Sequence, residues 1–119
     1  MEYLKYIIFV LVILLILSRI LPPKGVRQIS TEELKKELGN KNKQFIDVRT
    51  PGEFQSGKIR GFRNIPLNQL IQKAKELSKD TEVIVICQSG MRSNKASKLL
   101  KQLGFKNVTN VKGGMSAWS

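Results

Sequence analysis

The chain has 119 residues, enough for one small domain, with a single cysteine and no histidine. That excludes an intramolecular disulfide and a Ser-His or Cys-His catalytic pair within the chain, and it leaves only carboxylates as further zinc ligands, so no zinc site is expected. Lysine and arginine number 21 against 9 acidic residues, a net charge of +12, which invites anionic partners: a small anion, an acidic carrier protein, a membrane surface or RNA. The lysines are scattered and are not interleaved with aromatics, so nothing here specifies nucleic acid.

In chain order, residues 6–17 form a continuous apolar run flanked by Lys5 and Arg19. Taken over 3–21, with the two cations snorkelling, a helix would span about 28 Å, close to a hydrocarbon core of about 30 Å. The segment is therefore expected to be a single transmembrane anchor over residues 1–21. A cleaved signal peptide is the competing reading, but Ser18 to Pro23 offers no small-x-small cleavage site. The run has no polar stripe, which argues against a buried helix of the folded domain. Positive charge is concentrated after the run, so the C-terminal part is expected to face the cytoplasm. An unpaired thiol fits the same reducing compartment.

Pro22-Pro23-Lys24-Gly25 reads as a stiff linker over 22–25, followed by a folded domain over 26–119. Residues 26–29 read as a strand. Ser30-Thr31-Glu32-Glu33 reads as a capping box opening a helix to about Leu38, with Ile29 stapling onto Leu34 and Gly39-Asn40 as the stop. Residues 44–48 read as a second strand, ending in the polar cluster Asp47-Val48-Arg49-Thr50-Pro51-Gly52-Glu53-Phe54. Open α/β sheets place their sites at such strand ends. A structural Asp47–Arg49 network is the blander reading of that cluster. Residues 57–66 read as a glycine-punctuated loop and short strand. Leu67, Leu70, Ile71, Ala74 and Leu77 form one apolar face of a helix.

Residues 83–86 are β-branched and read as a buried strand, and 93–103 as a helix with Ala96, Leu99, Leu100 and Leu103 on one face. The loop between them holds the lone Cys87. A thiol delivered to a helix N-terminus meets unpaired backbone N–H groups and the positive end of the helix dipole. Arg92 adds charge. Together they are expected to favour thiolate over thiol. Gly90 lets the loop curl into a nest of N–H donors. The bland alternative is a buried structural cysteine at the end of a core strand. Gly104 reads as a helix cap, and 108–111 as a last strand.

Cys87-Gln88-Ser89-Gly90-Met91-Arg92-Ser93 resembles the C-x-x-G-x-R-S active loop of single-domain rhodaneses, which are sulfurtransferases. Asp47-Val48-Arg49, Glu53-Phe54, Gly57-x-Ile59-x-Gly61 and Asn64-Ile65-Pro66 look like a second block of that family. Gly113-Gly114-Met115-Ser116-Ala117-Trp118 resembles its ending. Lys58 departs from the family's usual histidine, and Phe62 from its usual alanine. The resemblance covers 26–118 and implies an α/β fold: a mainly parallel sheet with helices on both faces.

The resemblance implies Cys87 as the catalytic nucleophile and Gln88, Ser89, Gly90, Met91, Arg92 and Ser93 as the persulfide-binding loop. Asp47 and Arg49 are expected to support that loop, and Lys58 to help attract the donor. Four residues separate Cys87 from Arg92. Cysteine phosphatases of this fold resemble a C-x5-R pattern, whose wider loop suits a tetrahedral phosphate; the shorter loop suits one sulfur atom. Asp47 and Glu53 are the phosphatase reading's candidate acids. The expected reaction is ping-pong transfer of sulfur from thiosulfate or a protein persulfide to an acceptor thiol, which implies no metal or organic cofactor. A membrane-tethered binding module without catalysis is the competing class.

Overall fold

The computed structural model describes residues 2–21 and 23–119. Met1 and Pro22, within the expected anchor and linker, lie outside them. One five-stranded sheet organises the domain, in the order β1-β5-β4-β2-β3. The strands are β1 (Val26–Ile29), β2 (Lys43–Asp47), β3 (Arg63–Asn64), β4 (Glu82–Ile86) and β5 (Val108–Val111). Every strand pairing in it is parallel. β4 is central because it is the most apolar strand: Val83, Ile84, Val85 and Ile86 are all fully buried.

Alternate residues of the strands feed two cores, one on each face. Val83, Val85 and Cys87 point to one, with Ile46, Leu70, Ala96 and Leu100. Ile84 and Ile86 point to the other, with Ile29, Leu34, Phe45, Phe62 and Val111. Helices α2 (Thr31–Glu37) and α3 (Pro51–Ser56) lie in the chain after β1 and β2; α4 (Leu70–Lys73) and α5 (Met91–Gln102) precede and follow β4; α6 (Gly114–Ala117) ends the chain. Leu34 of α2 packs into the second core, and Leu70 and Leu100 of α4 and α5 into the first. The expected α/β sheet with helices on both faces is the one observed.

Local chemistry explains the turns. Ser30 and Glu33 make the expected capping box: the Glu33 N–H donates to Ser30 Oγ at 3.1 Å, and the Ser30 N–H donates to Glu33 Oε1 at 3.1 Å. Thr50 and Glu53 build a second box with the same spacing, opening the six-residue α3, a helix the apolar pattern did not reveal. The expected continuous helix over 67–77 is broken into a 3-10 turn (Leu67–Gln69), the single α-turn α4 and another 3-10 turn (Ala74–Glu76). Leu67–Leu70 and Ala74–Leu77 are spaced by three, which satisfies a 3-10 turn as well as an α-helix. Ile71, expected on the apolar face, is 62% exposed.

The N-terminal segment is α1 (Glu2–Ile20). Leu21 lies beyond its end. Glu2, Lys5 and Arg19 leave only 6–18 uncharged, about 20 Å of helix. Among the described residues no helix is long and apolar enough to cross a membrane. The span expected over 3–21 is therefore not met by length and apolarity alone. The apolar side chains of α1 from Tyr3 to Leu17 are exposed.

Candidate active site

The loop between β4 and α5 sits at the C-terminal edge of the central strand. Gly90 turns it with φ +104°, a conformation that favours glycine, and serves as the N-cap of α5. The turn brings the Gly90 N–H back onto the cysteine: it donates to Cys87 Sγ at 2.9 Å. The Cys87 thiol donates to Ser93 Oγ at 3.3 Å, and Ser93 Oγ–H donates to the Gly90 carbonyl at 3.1 Å. The Asn94 N–H donates to the same carbonyl at 3.0 Å. Among the described residues, the N–H groups of Gln88, Ser89, Met91, Arg92 and Ser93 donate to no partner. They are free donors in the same loop, at the positive end of a twelve-residue helix.

Cys87 itself is fully buried. Its side chain belongs to the first core, so the bland reading holds as far as burial goes. Its surroundings are not those of an inert core thiol, because a backbone N–H and a hydroxyl both address the sulfur.

Two structures hold the loop from outside. The first is the C-terminal turn. The Met115 N–H donates to the Cys87 carbonyl at 2.8 Å, and the Ser116 N–H to the Gln88 carbonyl at 2.9 Å. Gly114, with φ +54°, lies so close that a Cβ there would sit 2.2 Å from the Cys87 carbonyl oxygen. The ending Gly113-Gly114-Met115-Ser116 is therefore part of the site's frame, a contact legible in sequence only as a family motif.

The second is the Asp47–Arg49 network. Asp47 is fully buried and Arg49 nearly so. The Arg49 guanidinium donates to Asp47 Oδ2 at 2.8 Å, to the Gly57 carbonyl at 2.7 Å and to the Glu53 carbonyl at 3.2 Å. It reaches Gln88 Oε1 at 3.5 Å, the one side-chain contact from this network to the loop. Asn64 donates to the Asp47 and Arg49 carbonyls at 3.0 and 2.9 Å, fixing β3 to the same corner. Asp47 and Arg49, expected to support the loop, lie at the corner beside it and reach it through Gln88.

Arg92, expected to hold the loop and supply charge, has a partner the sequence did not indicate. Its guanidinium makes a bidentate pair with Glu53, at 2.6 and 2.9 Å. The hydrogen bond from Arg92, with those from Thr50, pulls the Glu53 carboxyl down to about 2. Glu53 in turn raises Arg92 above its ordinary value. The charge expected to act on the thiol is thus paired with a carboxylate. Glu53 was visible in sequence within a motif, but its partner lies 39 residues away, beyond any local pattern. Lys58 is not brought to the loop; its Nζ lies 5.0 Å over the Phe54 ring. Trp118 packs on the edge of the second core, with Lys35 Nζ 5.3 Å from its ring. Among the described residues there is no cluster of metal-ligating side chains.

Comparison with known proteins places this arrangement. The Rhodanese-like domain family matches residues 30–119, and the chain belongs to that family. It is 38% identical over 107 residues to the uncharacterized protein YqhL of Bacillus subtilis, covering 90% of this chain and 83% of that one. It is 34% identical over 95 residues to a protein of Allochromatium vinosum named Sulfurtransferase, covering 79% and 89%. Among solved structures, a rhodanese-like domain protein from Staphylococcus aureus superposes with a TM-score of 0.73 at 34% identity, covering 79% of this chain and 92% of that one.

Proposed function

We propose that the chain is a sulfurtransferase that carries a sulfane sulfur as a persulfide on Cys87. The observation that carries the reading is the Gly90 N–H on the Cys87 sulfur, in a loop with further unpartnered N–H groups. Such donors favour a negative sulfur, thiolate or persulfide alike. The relative named Sulfurtransferase supports the same chemistry.

The Cys87 thiolate attacks the outer sulfur of thiosulfate or of a protein persulfide. A new S–S bond forms, the donor's S–S bond breaks, and sulfite or the donor thiolate leaves with the electron pair. An acceptor thiolate then attacks the outer sulfur of the Cys87 persulfide, and Cys87 departs as thiolate. Gln88, Ser89, Gly90, Met91, Arg92 and Ser93 form the cradle; Arg92 acts by holding the loop through Glu53. Because the sulfur is buried, the exposed Ser89 and half-buried Gln88 must shift for a donor to reach it. Lys58 lies off the loop and contributes to the general positive field alone.

The test is mass spectrometry of the full chain after incubation with thiosulfate. The native chain gains one sulfur and Cys87→Ser gains none; a Cys87→Ser chain that still gains it ends the assignment. A Cys87 whose alkylation rate titrates like free cysteine would also overturn the reading. Absence of sulfur transfer with robust partner binding would favour the non-catalytic module.

Phosphate ester hydrolysis needs an acid to protonate the leaving alcohol. Asp47 is sealed against Arg49, and Glu53 is held near 2 by Arg92. Neither suits that role, so the phosphatase reading has no proton donor here.

We further propose that α1 anchors the chain in the cell membrane, with the domain in the cytoplasm. An apolar helix exposed from Tyr3 to Leu17 needs a cover, and lipid supplies it. The uncharged stretch alone is short of a bilayer core, so the span requires the stems of Lys5 and Arg19 to run toward the headgroups. Co-flotation with neutral phosphatidylcholine vesicles tests it; a full chain that stays at the bottom of the gradient defeats it.

A further inference from the structure

The helix that carries the loop also carries charge that the proposed chemistry does not use. Ser93, Ala96, Ser97 and Leu100 of α5 are buried. Met91, Lys95, Lys98 and Gln102 recur at i, i+4, i+7 and i+11 on the opposite, exposed side. Lys101 borders this face, and the linker comes up against it: a Cβ on Gly25 would lie 3.3 Å from the Lys101 side chain. One groove brings Lys95, Lys98 and Lys101 together with Lys24 and with Arg19 at the end of α1. No acidic residue lines it. Arg27, Lys43, Arg49, Arg63, Arg92 and Lys106 are all paired with carboxylates. Among the described residues Arg19, Lys24, Lys95, Lys98 and Lys101 are not; Lys101 Nζ donates only to the Lys106 carbonyl, at 3.1 Å.

We propose that this face of α5 docks on an anionic lipid surface beside the point where α1 enters the bilayer. The inference rests on the anchor reading, since α1 is what brings headgroups to Arg19 and the groove. Two observations select lipid as the occupant. Arg19, Lys24, Lys95, Lys98 and Lys101 share one groove without a carboxylate, and that groove is continuous with the apolar helix rather than remote from it. A basic face beside an apolar segment suits a plane of phosphates over hydrocarbon. Each lysine near such a surface adds about fivefold to binding. Docking has a consequence for the chemistry. Met91, 64% exposed, stands at the loop end of the same face, about 15 Å along the helix from Lys101. The rim of the Cys87 loop is then turned toward the bilayer, which suits a sulfur acceptor held at the membrane.

The experiment is lysine acetylation footprinting of the full chain on vesicles, read by mass spectrometry. Flotation with pure phosphatidylcholine vesicles reports the anchor alone. On vesicles containing phosphatidylglycerol, acetylation of Lys95 and Lys98 should fall at least fivefold relative to the neutral vesicles, while Lys41 and Lys75 stay unchanged. High salt should erase the difference. The combined variant Lys95→Glu, Lys98→Glu should still float and still load sulfur, but lose the protection at Lys24 and Lys101. Flotation with equal acetylation on both vesicle types would overturn the docking and leave the anchor standing. No flotation on neutral vesicles would remove the anchor and the docking with it. Loss of the protection to an equal concentration of RNA phosphate would assign the face to nucleic acid instead and overturn the lipid.

Discussion

The two edges of the sheet carry charge networks of similar composition that are built for different ends. At the N-terminal edge, Arg27 donates to Glu37 at 2.7 Å and to Glu82 at 2.8 Å; Lys43 pairs with Glu37, and Thr109 donates to Glu82 at 2.6 Å. Burial works to raise the Glu37 and Glu82 carboxyls, but their hydrogen bonds outweigh it and both lie below the ordinary value. This network joins side chains to side chains, is open to water chiefly at Arg27, and leaves Glu37 Oε2 without a partner. At the C-terminal edge, the Asp47–Arg49 pair is closed to water and spends its remaining donors on main-chain carbonyls. One edge ties strands together. The other fixes the course of a loop backbone, and backbone N–H groups are what address the sulfur.

Breaking the closed pair should have the largest effect. Asp47→Ala leaves the Arg49 guanidinium buried without its carboxylate, which costs about 3–5 kcal/mol. Urea melts check it; a loss under about 1 kcal/mol would mean that the two edges do not differ as argued. Next comes Gly114→Ala. Its Cβ would meet the Cys87 carbonyl at 2.2 Å, against backbone rather than a flexible side-chain end. The loop has to shift, and a displacement on the order of 1 Å lowers a rate by about a hundredfold. Sulfur transfer should fall by that factor while the far-ultraviolet circular dichroism stays native.

Much of this architecture was legible because it is local. The β-branched residues of β4, the Ser30–Glu33 box and the glycine of the Cys87 loop each act within a few residues, and each appears where the sequence implies it. What stayed hidden is either long-range or too short to show a period. The Thr50–Glu53 box has the same spacing as the first, yet it opens only six residues, which cannot display a helical apolar face. Pairing of Arg92 with Glu53 depends on α3 being a helix at all. The seating of Gly114 on Cys87 joins two segments that only the finished sheet brings together. Periodicity also misled at Ile71, where spacings of three and four were read as a single helix and the backbone chose 3-10 turns.

A smaller effect is expected at the other edge. Glu82→Gln removes one charge from this side-chain network, worth about 1–2 kcal/mol. Sulfur loading should be unchanged in the same mass spectrometric assay; a drop in loading would show the N-terminal edge shaping the loop and would erase the distinction between the edges.

The smallest effect separates charge from capping within the active edge. Glu53 accepts from Thr50 N–H and hydroxyl, both at 3.0 Å, as well as from Arg92. Glu53→Gln keeps an acceptor for the Thr50 box and removes only the charge facing Arg92. The folded carboxyl is held at about 2, below its ordinary value of 4.5, chiefly by the Arg92 hydrogen bond. A depressed carboxyl stabilises the fold fully above the ordinary value, and the contribution disappears as pH falls from about 4.5 toward about 2. The difference in stability between the native chain and Glu53→Gln should therefore be constant from neutral pH down to about 5 and shrink below it. Glu53 keeps 33% of its side chain in water, so screening holds the difference under about 1 kcal/mol. Denaturant melts across that pH range check the curve. A difference that persists unchanged at the acid end would show that the Glu53 charge is not its source, and the Arg92 pair would then position the loop without measurably stabilising the fold.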